Sequence, residues 1–143
     1  MDKTYQEVVL FVNTARVWMQ EHDTDTKLRS ALRKVVARCM TLLEAQNEAI
    51  VDIELEHCST DDKTKIILKD ERDQFRYTKD AMKKRNAAIR ELRAKPLEIA
   101  PLLVNPADLP DGLTGAERDA FAGFVLAEEP DEDAGLHLVE HAG

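Results

Sequence analysis

Glycine and proline are scarce in this chain: five of each in 143 residues. Together they make about 7%, against an average near 12%, which argues against a sandwich or barrel stitched from many short strands. Aromatic residues number only seven, too few for a platform that stacks nucleic-acid bases. Two cysteines, Cys39 and Cys58, cannot build a disulfide framework and point to a reducing compartment. No apolar run approaches the ~18 residues of a membrane span, and Met1-Asp2-Lys3-Thr4-Tyr5 does not read as a secretory leader. A cytoplasmic location is therefore expected. Positive charge is also in deficit: 20 Lys and Arg against 28 Asp and Glu leave a net −8. That balance speaks against a general affinity for nucleic acid or for anionic membranes.

What the chain does have is enough apolar side chain for one folded domain. Leu, Ile, Val and Phe make 36 residues, about a quarter of the chain and above the ~20% floor that marks disorder. Their spacing is helical. Tyr5, Val8, Val9, Val12, Ala15 and Met19 line one face of a first helix over 4–21, with Thr4 and Glu7 at capping-box spacing. From 26 to 57 there is neither Gly nor Pro. Leu28, Leu32, Val35, Cys39, Leu42, Gln46, Ala49 and Ile53 recur in steps of four and three there. Such a heptad-like seam needs a second helix along it, from this chain or from another subunit, and Gln46 sits where a polar residue sets register. Two short β-rich runs, 65–69 and 74–77, flank the polar Asp70–Asp73 and read as a hairpin whose turn lacks Gly. Thr78 caps a third helix to Ala94, and 97–100 is a candidate third strand. Three prolines enforce an extended crossing before a last helix at 114–125, again with a capping box, Thr114 and Glu117. The fold class is therefore mainly α with an α+β element: a long-helix bundle with a small antiparallel hairpin. The domain spans 1–127, and residues 128–143 form an acidic tail with six acids and no Lys or Arg.

Charge is split along the long helix. Lys27, Arg29, Arg33, Lys34 and Arg38 fill its first half, and Glu44, Glu48, Asp52, Glu54 and Glu56 its second. Both blocks oppose the helix dipole, at about 0.3–1 kcal/mol per badly placed terminal charge. Two arrangements compensate: the cationic third helix lying antiparallel on the acidic half, or an antiparallel copy of the helix from a second subunit. Self-association through Leu28, Leu32, Val35, Cys39, Leu42, Gln46 and Ile53 follows from the second; a solvated charged face is the plain alternative. Arg85 falls on the apolar face of the third helix, among Ala81, Met82, Ala88, Ile89 and Leu92. There it either pairs with an acid of the long helix or, with Arg76 and Lys84, anchors an anionic ligand. Glu54 and His57 have the E-x-x-H spacing of one quarter of a di-iron site, but no second copy exists. His137, Glu140 and His141 make a similar fragment in the tail. No phosphate-cradling loop and no nucleophile motif occurs, so neither a catalytic residue, a metal nor a cofactor is assigned. The tail is either an inert solubilising segment or an acidic arm that shields a basic face such as 27–38 or 79–95.

Around the hairpin stand Asp52-Ile53-Glu54-Leu55-Glu56-His57-Cys58, Asp61-Asp62-Lys63, Ile67-Leu68-Lys69-Asp70 and Phe75-Arg76-Tyr77-Thr78-Lys79, in that order and without a specific motif. This stretch, about residues 40–100, resembles small uncharacterised bacteriophage and prophage accessory proteins, which place a long helix, a charged hairpin and a second helix in the same sequence. The resemblance stops at the Pro-rich and acidic C-terminus and carries no catalytic residues with it. It implies a part in virion assembly or host interaction. The expected function is thus a non-enzymatic, self-associating module, a homodimer or higher oligomer that also meets a host or phage protein. The alternative is a binder that sequesters a small anionic ligand such as a nucleotide in a basic pocket at a subunit interface.

Overall fold

In the computed structural model, which describes residues 2–24 and 26–128, a threonine opens each of the four α-helices. These are α1 (Tyr5–Glu21), α2 (Lys27–His57), α3 (Lys79–Ala94) and α4 (Gly115–Phe121); with a 3-10 turn at Pro106–Asp108, helix accounts for 59% of the described residues. The side chains of Thr4, Thr26, Thr78 and Thr114 accept the free N–H groups of Glu7, Arg29, Ala81 and Glu117. At the first and last of these, Glu7 and Glu117 return the bond to the threonine's own N–H, so both capping boxes close. His22 finishes α1: its N–H donates to the Trp18 carbonyl and its ring stacks on the Trp18 indole at 4.3 Å.

The apolar core lies entirely around α1, the first half of α2 and the C-terminal segment. Val8, Phe11, Val12, Ala15 and Trp18 of α1 meet Leu28, Leu32, Val35, Val36 and Cys39 of α2, closed over by Ile99, Ala120, Phe121, Phe124, Val125 and Leu126. Phe11 is its centre, stacked on Phe124 at 4.2 Å and edge-on to Phe121 at 6.0 Å. Beyond Cys39, the only buried residue of α2 is Gln46, and α3 has none. The molecule is thus a packed body carrying a two-helix arm. In the arm α3 runs back along the acidic half of α2, held by an Arg85–Glu54 ion pair at 2.7 Å. At the arm's base the Arg93 guanidinium lies 4.1 Å over the Tyr5 ring, joining α3 to the start of α1.

The sheet departs from expectation. Leu97–Glu98 (β2) pairs antiparallel not with the hairpin but with Asp2–Lys3 (β1) at the start of the chain, Lys3 opposite Leu97. Segments 65–69 and 74–77 do fold back on each other, but as a single bridge between Lys69 and Phe75 rather than a ladder. The reason is a third run. Ser59 donates to the Arg76 carbonyl, Arg76 to Leu68, and Leu68 back to Ser59, a closed ring of three backbone bonds that leaves no straight strand to extend. The missing turn glycine is replaced by aspartate chemistry. Asp70 accepts the N–H groups of Arg72 and Gln74 while Asp73 takes the left-handed conformation at φ +61°. Asp61 does the same for Lys63 and Thr64, with Lys65 at φ +62°.

Helix α4 ends at Phe121, short of the expected 125, because Gly123 turns left-handed at φ +80°. The turn makes room for Lys3, whose buried ammonium donates to the Ala122 carbonyl and to Glu128 at 2.9 Å. A Cβ on Gly123 would stand 2.4 Å from that ammonium nitrogen, whereas one on Gly112 (φ +88°) meets open space. Gly112→Ala should therefore lose only the backbone term, about 1–2 kcal/mol. Gly123→Ala must also push the ends of the Lys3 and Glu128 side chains aside and should lose more in urea unfolding; a loss equal to that at Gly112 would mean that those flexible ends move at little cost. The bond from the Thr4 N–H holds the Glu7 carboxyl below its ordinary value of 4.5. A depressed carboxylate stabilises the fold fully above that value and less as pH falls through the lower folded one. The Glu7→Gln protein should accordingly lose less stability than the parent between pH 5 and pH 3.

Candidate functional site

The acidic second half of α2 supplies one wall of the arm, α3 the other, and the looped segment 58–77 caps the end. At that end sits Arg85. Its guanidinium donates to Glu54 at 2.7 Å and to Asn86 at 2.8 Å, and its centre lies 5.4 Å from the Tyr77 ring. Both members of the ion pair are about a quarter exposed, at 24% and 23%. The bond to Glu54 raises the Arg85 pKa, and burial raises that of Tyr77 against the opposing pull of the Arg85 charge. Glu54, Gln74, Phe75, Tyr77, Met82 and Arg85 line a cavity of about 340 Å³ here. Two buried polar atoms in it, Arg85 Nε and the Tyr77 hydroxyl, have no hydrogen-bond partner.

The anion-binding trio is not assembled. Arg85 is neutralised by Glu54, and Lys84 is exposed on α3. Arg76 lines a separate groove with Lys69, Asp70, Glu71, Arg72 and Gln74, where acids balance the cations. The subunit seam is also redistributed. Leu28, Leu32, Val35 and Cys39 have no exposed surface, because α1 and the 120–126 segment reach them within one chain. An interface on those four would require opening the body. Leu42 is half-buried against the edge of the body's core, Ile53 is half-buried farther along α2, and Gln46 is buried with its carbonyl oxygen unpartnered. Among the described residues no three His, Cys, Asp or Glu side chains come together as a metal site, and Glu54 of the E-x-x-H pair is committed to Arg85. His137, Glu140 and His141 lie outside the described residues.

The seam does not include the arm's exposed apolar side chains, of which Met82 was placed on an apolar helix face by its spacing and also borders the cavity beside Arg85. Among the described residues, eight large apolar side chains are exposed, and five of them are Val51, Leu55, Ile66, Ile67 and Met82. Val51 and Leu55 are one helical turn apart, off the seam that faces α3, so their spacing was readable. Glu44, Glu48, Asp52 and Glu56 share that exposed half of α2, while α3 exposes Lys79, Lys83, Lys84 and Arg90. No helix is long and apolar enough, among the described residues, to cross a membrane. No protein-family model, no curated protein and no solved structure matches this chain.

Two measurements check this geometry. Burial pushes the Cys39 thiol up to about 11, while Cys58 is half-buried near the arm's end. In the native protein iodoacetamide should label Cys58 alone at pH 8, and Cys39 only after unfolding. Glu54→Gln leaves Arg85 without its anion and should cost about 1–2 kcal/mol. Combining it with Arg85→Met should recover part of that loss; strict additivity would mean the pair is not coupled.

Proposed function

We propose that this chain is a non-catalytic, self-associating interaction module whose contact face is the outer surface of the arm. The observation that carries the reading is the placement of Val51, Leu55, Ile66, Ile67 and Met82. Most of the exposed bulky apolar surface sits on the element that buries no apolar side chain of its own. Two helices closed only by half-buried contacts gain from a further partner, as an isolated pair of helices is marginal in water. Charge supports a second copy as that partner. Each arm exposes acids on α2 and cations on α3, so a two-fold antiparallel pairing sets each acidic face against the other copy's basic face. The order of long helix, charged loop and helix resembles that of phage accessory proteins, and a role in assembly or host interaction is the setting we infer for the module. A small-anion binder draws no support from the geometry, because Arg76, Lys84 and Arg85 do not converge.

Light scattering at low and high salt should give a mass above that of one 16.2 kDa chain at low salt. The double substitution Val51→Lys and Leu55→Lys should return it to one chain while leaving the helical circular dichroism unchanged. A single-chain mass for the parent at both salts would overturn the proposal. An oligomer indifferent to both substitutions would remove the arm as its interface.

A further inference from the structure

A second surface lies at the opposite end of α2 from the arm's tip. A groove of about 600 Å³ runs between the first two turns of α2 and the extended segment 102–108. Ala31, Leu102, Leu103 and Val104 make its floor, Lys27 and Lys34 its rim, and Leu103 is 53% exposed. Lys27 reaches across to Asp108 at 3.2 Å and closes one end. Arg29 and Arg38 spend part of their guanidinium on the His22 and Ala100 carbonyls, while Arg33 and Lys34 face solvent. No acid occurs between Lys27 and Thr41, so this half of the helix is a block of five cations beside an apolar floor.

The chain holds one segment of complementary chemistry. After Glu128 come four acids, Glu129, Asp131, Glu132 and Asp133, then Leu136, Leu138 and Val139, with no Lys or Arg through residue 143. Its starting point is also fixed. Lys3 pins Glu128, and Leu126 and Ala127 lie in a cleft with Val104 and Pro106. Val104 therefore borders both that cleft and the groove. Eight residues separate Glu128 from Leu136, a reach of up to about 26 Å. The alternative basic surface, α3, exposes the acids Asp80 and Glu91 among its cations, whereas no acid interrupts residues 27–41.

We propose that residues 129–143 dock in cis in the groove between α2 and segment 102–108. Leu136, Leu138 and Val139 sit on the Ala31–Leu102–Val104 floor, and the acids lie against Arg33 and Lys34. This is a self-contained acidic strap over the basic half of α2, independent of the contact made by the arm.

Ser30 lines the groove and its replacement by cysteine adds almost no volume, so Ser30→Cys reports occupancy through its alkylation by neutral iodoacetamide. Cys58, on the arm, is the internal reference. Deleting 129–143 should speed labelling at position 30 about tenfold, the protection given by a docked state favoured by about 1.4 kcal/mol. The Cys58 rate should not change. A second variant keeps every charge: Leu136→Ser, Leu138→Ser and Val139→Ser together should label as fast as the deletion. Equal rates at position 30 in the full and shortened chains would overturn the proposal. So would a triple variant as slow as the parent, since the apolar side chains would then not be the occupants. Protection that grows with protein concentration would overturn it too, assigning the groove to a second copy.

Discussion

Helix α2 is about 46 Å long at 1.5 Å per residue, and among the described residues no other helix can cover it alone. Helix α1, with 17 residues, reaches about 26 Å, and α3, with 16, about 24 Å. The chain resolves this by laying the two end to end, α1 along the first half and α3 along the second. Everything else follows from that division. The start of α1 and the end of α3 must meet at the middle of α2. There the β1–β2 pairing and the Arg93–Tyr5 contact join them, with Gln46 buried on α2 itself.

The two halves are closed by different physics. The body excludes water with sixteen apolar residues below a tenth exposed, centred on the Phe11–Phe121–Phe124 cluster. The arm has half-buried aliphatic contacts, one partly desolvated ion pair and loops built on Asp61 and Asp70. Burial of each large aliphatic side chain contributes roughly 1.5–3 kcal/mol, whereas a partly exposed ion pair contributes far less. Local stability therefore falls from the body towards the tip of the arm, and the arm is the element with most to gain from a partner.

Helix positions were legible because their signals are local. Thr4, Thr26, Thr78 and Thr114 announce each start within one turn, and the seam through Leu28, Leu32 and Val35 announces the buried face. The partners of that face were not legible, since the same period serves a helix of this chain or of another. The pairing of Lys3 with Leu97 spans most of the chain and rests on two-residue strands with no alternation to read. The hairpin's collapse into a ring at Ser59, Leu68 and Arg76 was invisible for the same reason, as it depends on a third segment. Arg85 was readable as an anomaly on an apolar face, and Glu54, 31 residues away, answers it. Arg85 does not converge with Lys84 because a helical 84–85 step points side chains about 100° apart, nor with Arg76, which lies before α3 in the groove of the 69–74 turn.

The charge split of α2 also finds its explanation in this division. Cations at a helix N-terminus and acids at its C-terminus are opposed by the helix dipole, and a lone helix would lose stability from both. Here neither block relies on the helix for compensation. At the N-terminal end Asp108 takes Lys27, and the carbonyls of His22 and Ala100 take Arg29 and Arg38. At the other end Arg85 takes Glu54. The residues left over, Arg33 and Lys34 on the body and Glu44, Glu48, Asp52 and Glu56 on the arm, all face solvent. An arrangement that opposes the dipole yet leaves a surplus of each sign at opposite ends is better suited to meeting charged surfaces than to stabilising its own helix. That physical cost is what the two contacts we propose, one at each end of α2, would offset.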